Sequence, residues 1–344
     1  MAQTKIRVED AVGMVLAHDV TEIRRGEFKG PAFKKGHRIQ EADICHLQRL
    51  GKCHLYVLKV DEGFVHENNA AMTLAEAFCG DGVIWKGPPK EGKIALIAAR
   101  DGLFKVDVKA LTKINLVGDI MCASRHTNLL VKKGATVAAT RAIPLVIPSE
   151  LMDRAVRISK SCGGLFQVKP LKRAKVGIVI TGNEVYTGLI EDQFEPVLRR
   201  KIDQIGSEVI GVRFARDDPH LIEQQIRDLL NVGADLLLLT GGMSVDPDDV
   251  TRQGVAQAGA RDFIYGAPVL PGAMFMVSSI RDVPVLGIPA CGLYHEATIF
   301  DLVLPRILAG EKLARKDIAA MGHGGLCLHC PECRYPICPF GKGP

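Results

Sequence analysis

Beyond residue 174 the apolar positions fall into blocks that alternate between two periods. KVGIVITGNE is an uninterrupted apolar run ending in a polar glycine turn, the pattern of a strand buried on both faces. FEPVLRRKIDQIG then places Val197, Ile202 and Ile205 at helical spacing and stops at a glycine. SEVIGVRFARDD predicts a second strand, HLIEQQIRDLLNVG a second helix, ADLLLLTGGMS a third strand and VPVLGIPACG a fourth. Strands alternating with helices of roughly 10–15 residues predict an α/β domain with a doubly wound, mostly parallel sheet, over residues 171–312.

Upstream the texture differs. Residues 1–60 hold two short helical patterns, VEDAVGMVLAHDV and EADICHLQRLG, with Asp10 and Glu41 near the starts and Gly51 as a stop. Residues 61–170 carry the β-rich runs KIALIAA, FKVDVKAL and KGATVAATRAIPLVIP, punctuated by Gly and Asp, and predict a smaller β-rich or α+β domain. Residues 313–344 are rich in Gly, Pro and Cys and read as a metal-folded tail outside the sheet.

Composition narrows the function. A chain of 344 residues suits two or three domains, and 47% hydrophobic with 24% charged residues is ordinary for a globular protein. Its net charge of +5 suits an anionic small ligand. No Lys/Arg block interleaves with aromatics, and one Trp and five Tyr offer little for base stacking, so nucleic acid is not an expected partner. No apolar run reaches the length of a membrane span, and MAQTKIRVEDAVG lacks the apolar core of a signal peptide, so the expected location is cytoplasmic, with no membrane partner.

The chemistry concentrates at three strand ends: Thr181-Gly182-Asn183-Glu184, Thr240-Gly241-Gly242-Met243-Ser244, and Gly287-Ile288-Pro289-Ala290-Cys291-Gly292. Ligands of open parallel sheets bind where strands end, and glycine turns aim backbone N–H groups at an anion while Thr and Ser hydroxyls add donors. Ordinary strand–helix turns favour the same residues, but three in succession point to a phosphate cradle. No GxGxxG or GxxxxGK[ST] is present, which disfavours dinucleotide and P-loop sites. Asp217 and Asp218 follow the second strand, and Asp246, Asp248 and Asp249 follow the turn at 240–244. Oxygen ligands at one sheet edge suit Mg²⁺ bridged to a substrate phosphate, although Asp218 and Asp249 also suit helix capping.

T-G-N-E, R-D-D and T-G-G-M-S-x-x-x-x-D-x-T together resemble the molybdopterin-binding domain of the molybdopterin adenylyltransferase and molybdopterin molybdenumtransferase families. The phrases VEDAVGMVLAHDV and GHRIQEADICHLQRLGKCHLYVL also look like the molybdenumtransferase. The resemblance implies a molybdopterin-binding fold in which Gly241, Gly242 and Ser244 line the pterin phosphate, with Thr181 and Glu184 on the neighbouring turn. The same turns supply Gly182, Asn183, Thr240 and Pro289 as further cofactor-binding candidates. Asp217 and Asp249 match acidic positions near the metal and reacting groups and are the catalytic candidates. The implied reaction is Mg²⁺-assisted molybdate insertion into adenylated molybdopterin, by a homodimer that passes the cofactor to a molybdoenzyme. This chain departs from the family where S-x-G reads Ser244-Val245-Asp246, where T-G-D-E carries Asn183, and where G-L-P-G-N-P reads Gly287 to Gly292. A non-catalytic pterin carrier or sensor, and a redox accessory protein built on the tail, are the alternative functions.

Ten cysteines include four near the C-terminus, Cys327, Cys330, Cys333 and Cys338, spaced C-x2-C-x2-C-x4-C-P. This is one residue longer than a bacterial ferredoxin run, so a [4Fe-4S] cluster and Zn²⁺ are both candidate occupants.

Overall fold

The apolar run at 175–181 becomes the strand next to one edge of a six-stranded sheet, paired on both sides and buried on both faces as its composition demands. The computed structural model describes residues 4–24, 28–58, 63–90, 92–143, 145–243 and 250–343. Two compact units divide the chain: residues 1–100, 106–125 and 132–168 form one, and residues 101–105, 126–131 and 169–344 the other.

In the second unit the strands are β1 (Lys175–Thr181), β2 (Glu208–Ala215), β3 (Leu236–Thr240), β4 (Ala260–Tyr265), β5 (Met276–Ile280) and β6 (Val283–Ile288). Their order across the sheet is β2-β1-β3-β6-β5-β4. The first four in that order pair in parallel, while β5 runs antiparallel to both β6 and β4. Val176, Ile178 and Ile180 pack on one face with Leu198 and Ile202 of α1 (Phe194–Gln204) and with Phe300 and Val303 of α4 (Ile299–Leu308). Val179 packs on the other face with Ile222, Ile226 and Leu229 of α2 (Pro219–Asn231) and Val255 of α3 (Thr251–Gln257). Helices on both faces leave no strand position for polar residues, which is why β1 and β3 read as continuous apolar runs.

Strands β4 and β5 were not legible in the sequence. In β4, Arg261, Asp262 and Phe263 are all exposed, so this edge strand has no alternating signature. The sheet is therefore mixed, with an antiparallel pair at one end.

In the first unit EADICHLQRLG is a helix at Glu41–Arg49, with Asp43 closing the reciprocal N-terminal box with Gln40. The helical expectation for VEDAVGMVLAHDV is corrected. That segment forms one 3-10 turn at Glu9–Ala11, then a short strand Val15–Leu16 paired with His54–Leu58. Val8, Ala11, Leu16 and Val20 are buried against Leu47, Leu55 and Val57. Burial of stiff valines against a partner strand outweighs a weak helical period. The remainder is α+β, with helices Glu67–Phe78, Val108–Asn115 and Ser149–Ser161 beside a four-stranded antiparallel sheet. The second half of FKVDVKAL is thus helical, started by Asp107, whose carboxylate accepts the Ala110 N–H at 2.9 Å.

The tail is not separate from the sheet domain, as its composition had suggested. Leu326 forms a parallel bridge with Leu270, and the Leu270 N–H donates to the Gly325 carbonyl at 2.8 Å. Phe340 is 3% exposed and joins the core cluster that contains Phe275 and Phe300. An apolar residue in a segment of exposed cysteines gives no periodic signal, so only packing reveals its role. Truncating Phe340 to alanine is expected to lower the unfolding free energy by about 3–5 kcal/mol, measured by urea denaturation.

Candidate functional site

Chain connections from β1 run through α1 to β2 on one side, whereas those from β3 run through α3 towards β4 on the other. The crevice at the carboxyl ends of β1 and β3 is thus a topological switch point, where open α/β sheets bind ligands. Two of the sequence-predicted turns, Thr181-Gly182 and Thr240-Gly241-Gly242, meet there.

Hydroxyls lock the two turns together. Thr181 Oγ1 donates to the Thr240 carbonyl at 3.0 Å, Thr251 Oγ1 donates to the Gly241 carbonyl at 3.0 Å, and the two hydroxyl oxygens stand 2.9 Å apart. Both threonines are buried, so these contacts are not exchanged with water. The fully buried Thr240 hydroxyl has no hydrogen-bond partner among the described residues. Gly241 and Gly242 have φ of +79° and +53°. A Cβ on Gly241 would overlap the Thr181 carbonyl oxygen, and one on Gly242 the Thr251 hydroxyl. Only glycine permits this conformation and this approach of one turn to the other.

Asn183 and Asp217, 34 residues apart, sit side by side. The Asn183 N–H donates to Asp217 Oδ2 at 3.0 Å, and the Asp217 N–H donates to Asn183 Oδ1 at 3.3 Å. The exchange ties the end of β2 to the turn after β1. Glu184 is exposed and folds over Gly182, its Oε1 3.2 Å from where a Cβ would stand. Asp218 is a helix cap: its Oδ1 accepts the N–H groups of His220 and Leu221 at 2.8 and 3.1 Å. Ser244, Asp246, Asp248 and Asp249 lie outside the described residues.

A cavity of about 690 Å³ opens beside the third turn. Its wall includes Gly241, Gly242, Pro289 and Cys291, a size and placement suited to a small ligand. Sequence reasoning missed its opposite side, the loop Leu270–Met274, although the Pro271-Gly272 pair marks a turn. Thr181, Asn183, Glu184 and Asp217 are not in the wall formed by described residues; Thr181 stands behind it, through Gly241. Burial raises the Cys291 thiol above its ordinary value, which keeps it protonated near neutrality and suits a wall residue better than a nucleophile. The Arg252 guanidinium lies 4.2 Å from the Tyr265 ring centroid, and the Tyr265 hydroxyl donates to the Met243 carbonyl at 2.5 Å. These contacts anchor the turn at Met243, just before the undescribed segment.

The four tail cysteines line a second cavity, of about 280 Å³, with His295 and His329. Among the described residues no group of three His, Cys, Asp or Glu side chains stands assembled for a metal ion. Beside it, burial pushes the Tyr335 hydroxyl well above its ordinary value, and that hydroxyl donates to the Asp301 carbonyl at 3.1 Å.

Residues 177–309 match the family described as a probable molybdopterin binding domain, and residues 5–59 match a domain of unknown function. A CinA-like protein of Mycobacterium avium is 36% identical over 96 residues, which is 28% of this chain and 22% of that protein. The chain thus spans about a fifth of the length of the curated relatives it matches. Among solved structures, the molybdopterin biosynthesis enzyme MoaB of Thermus thermophilus is 20% identical, covering 40% of this chain and 98% of its own, with a TM-score of 0.34. The molybdopterin biosynthesis MoeA protein of Pyrococcus horikosii is 14% identical, covering 90% of this chain and 75% of its own, with a TM-score of 0.34.

Proposed function

We propose that the chain holds a molybdopterin-type pterin phosphate at the switch point between β1 and β3 and serves molybdenum cofactor biosynthesis, a reading supported by the match of residues 177–309 to the family described as a probable molybdopterin binding domain. One observation supports this above the others: Gly241 and Gly242, locked in place by the Thr181–Thr251 pair, form part of the wall of the 690 Å³ cavity. Backbone N–H groups held in a left-handed turn make a concave anion site without charged side chains.

The fuller reading is a molybdenumtransferase-like protein that cleaves adenylated molybdopterin and inserts molybdate. Mg²⁺ would be held by Asp217 and Asp249, hard oxygen donors of the type it prefers, and would neutralise phosphate oxygens. The chain's own residues orient the substrate: the glycine turn takes the phosphate, and the Asn183–Asp217 exchange holds the Asp217 carboxylate at the end of β2. A homodimer, molybdate as second substrate and a molybdoenzyme as recipient complete the proposal. Among the described residues no helix is long and apolar enough to cross a membrane.

A second reading, a non-catalytic pterin carrier, draws on Asp217, whose Oδ2 is already engaged by the Asn183 N–H. Molybdate insertion into adenylated molybdopterin, measured beside pterin retention, separates the two. For a transferase, Asp249→Ala removes a direct Mg²⁺ ligand and abolishes Mg²⁺-dependent turnover; for a carrier it only weakens pterin binding. Wild-type protein that retains pterin but shows no Mg²⁺-dependent turnover sinks the transferase reading and leaves the carrier. Protein that retains no pterin sinks both.

A further inference from the structure

The reading of the glycine turns leaves the cysteine run unused, yet its geometry is organised. Cys327, Cys330, Cys333 and Cys338 all line one cavity, although a run spaced C-x2-C-x2-C-x4-C in an irregular segment need not converge. Two of the thiols are anchored. The Cys327 N–H donates to the Leu270 carbonyl at 2.8 Å, and the side chains of Cys327 and Cys338 both pack against the core that holds Phe340. The other two, Cys330 and Cys333, are exposed on the intervening turn.

The second shell for a thiolate is also present. His329 has a φ of +50°, which turns its N–H onto Cys327 Sγ at 3.5 Å. N–H donors onto sulfur are the contacts that tune and hold thiolate-bound metals. Arg334 borders the same cavity and supplies positive charge beside the four sulfurs.

This cavity shares a wall with the larger one. His295 and His329, with ring centroids 5.2 Å apart, line both. Leu326, directly before Cys327, also lines the larger cavity and bridges Leu270, the first residue of that cavity's Leu270–Met274 loop.

We propose that Cys327, Cys330, Cys333 and Cys338 bind a thiophilic metal centre, zinc or an iron–sulfur cluster, and that its occupancy fixes the 325–329 segment as a wall of the pterin cavity. The second half rests on the reading of that cavity as the pterin site. The exposed 330–333 turn closes on the metal, with Cys327 and Cys338 as the fixed ligands. Coupling of ligand binding to local ordering is the general behaviour of such sites, because the thiols give up their protons to the metal and the cation itself ties the ligands together.

The full-length protein is purified anaerobically, and zinc, iron and acid-labile sulfide are measured per chain. The expected content is about one zinc, or about four iron with four sulfides and a broad visible absorption. Cys330→Ser/Cys333→Ser is expected to lose the metal, whereas Cys53→Ser, at an exposed cysteine outside the run, keeps it. Should the double variant fail to fold, chelation of the wild-type protein provides the test, followed by readdition of zinc or, for an iron–sulfur centre, of ferrous iron with sulfide and a thiol reductant under anaerobic conditions. Chelation is expected to weaken pterin binding about 5–10-fold, with recovery on readdition, the usual scale of coupling between two sites. Metal retained by the double variant overturns the assignment, as does wild-type protein that stays metal-free after supplementation with either metal or carries disulfides among these four cysteines. Unchanged pterin affinity after chelation overturns the coupling. Metal at full content in a protein that binds no pterin also overturns the coupling, and there the fault lies with the pterin reading, since the metal assay does not depend on it.

Discussion

Replacing Gly241 by alanine abolishes measurable pterin binding and lowers the unfolding free energy by about 2–5 kcal/mol, the sum expected for a strained left-handed residue and an overpacked contact. The added methyl group meets the Thr181 carbonyl oxygen, which belongs to the neighbouring strand and cannot swing aside like a flexible side chain. To relieve the overlap, the turn after β3 must move away from β1. That movement breaks the Thr251 bond to the Gly241 carbonyl and redirects the N–H groups of the phosphate turn. Gly233→Ala is the control, because its φ of +94° carries the same strain but no atom lies within 4 Å of the new methyl. It is expected to cost about 1–3 kcal/mol and to leave pterin affinity unchanged. Fluorescence titration with the pterin and urea denaturation of both variants read the two effects separately. Wild-type affinity in Gly241→Ala would remove the glycine turn from the site.

Asp301→Ala is expected to cost about 3–5 kcal/mol, the usual loss on removing one partner of a buried ion pair. Its Oδ1 accepts a bond from Lys201 Nζ at 2.5 Å, with the two side chains 16% and 9% exposed. Its Oδ2 accepts the Thr298 N–H at 2.8 Å, closing the box that starts α4, and its carbonyl accepts the Tyr335 hydroxyl. Lys201 also donates to the Glu296 carbonyl at 2.7 Å, so this one ammonium holds the loop that carries His295 between the two cavities. Removing the carboxylate leaves a nearly buried cation with a single neutral acceptor. Lys201→Met/Asp301→Leu is expected to recover most of the loss, because an apolar pair has no charge to desolvate. A loss below about 1 kcal/mol for Asp301→Ala would mean that the pair behaves as an exposed ion pair does.

Much of the sheet domain is legible from local pattern. Strands β1, β3 and β6 and helices α1 and α2 appear where apolar runs and helical spacing put them. The misses have physical causes. In VEDAVGMVLAHDV, Val8 and Val15 are buried, and Val15 pairs with a strand some 40 residues away, a contact the local period does not encode. The edge strand β4 buries too little to alternate. In the site, Gly241, Gly242 and Pro289 were visible, because a left-handed turn and a rigid one restrict residue type. The Leu270–Met274 loop was not, since its role comes from lining the same cavity as Pro289 rather than from its own chemistry.

By itself the sequence determined which segments are buried on both faces and which strand ends carry glycine turns with hydroxyl donors. Those properties depend on each residue and its near neighbours, through side-chain period and the φ that only glycine tolerates. It determined as well that four cysteines lie close along the chain. Only the tertiary structure decided that β1 and β3 are adjacent with their connections diverging, so that Thr181 and Thr251, 70 residues apart, share a hydroxyl contact. It alone placed Asn183 against Asp217, seated Phe340 in the core, and set the cysteine cavity against the larger one through His295 and His329. These are pairings between distant segments, set by strand order and by the packing of helices on the sheet, and no window of sequence contains both partners.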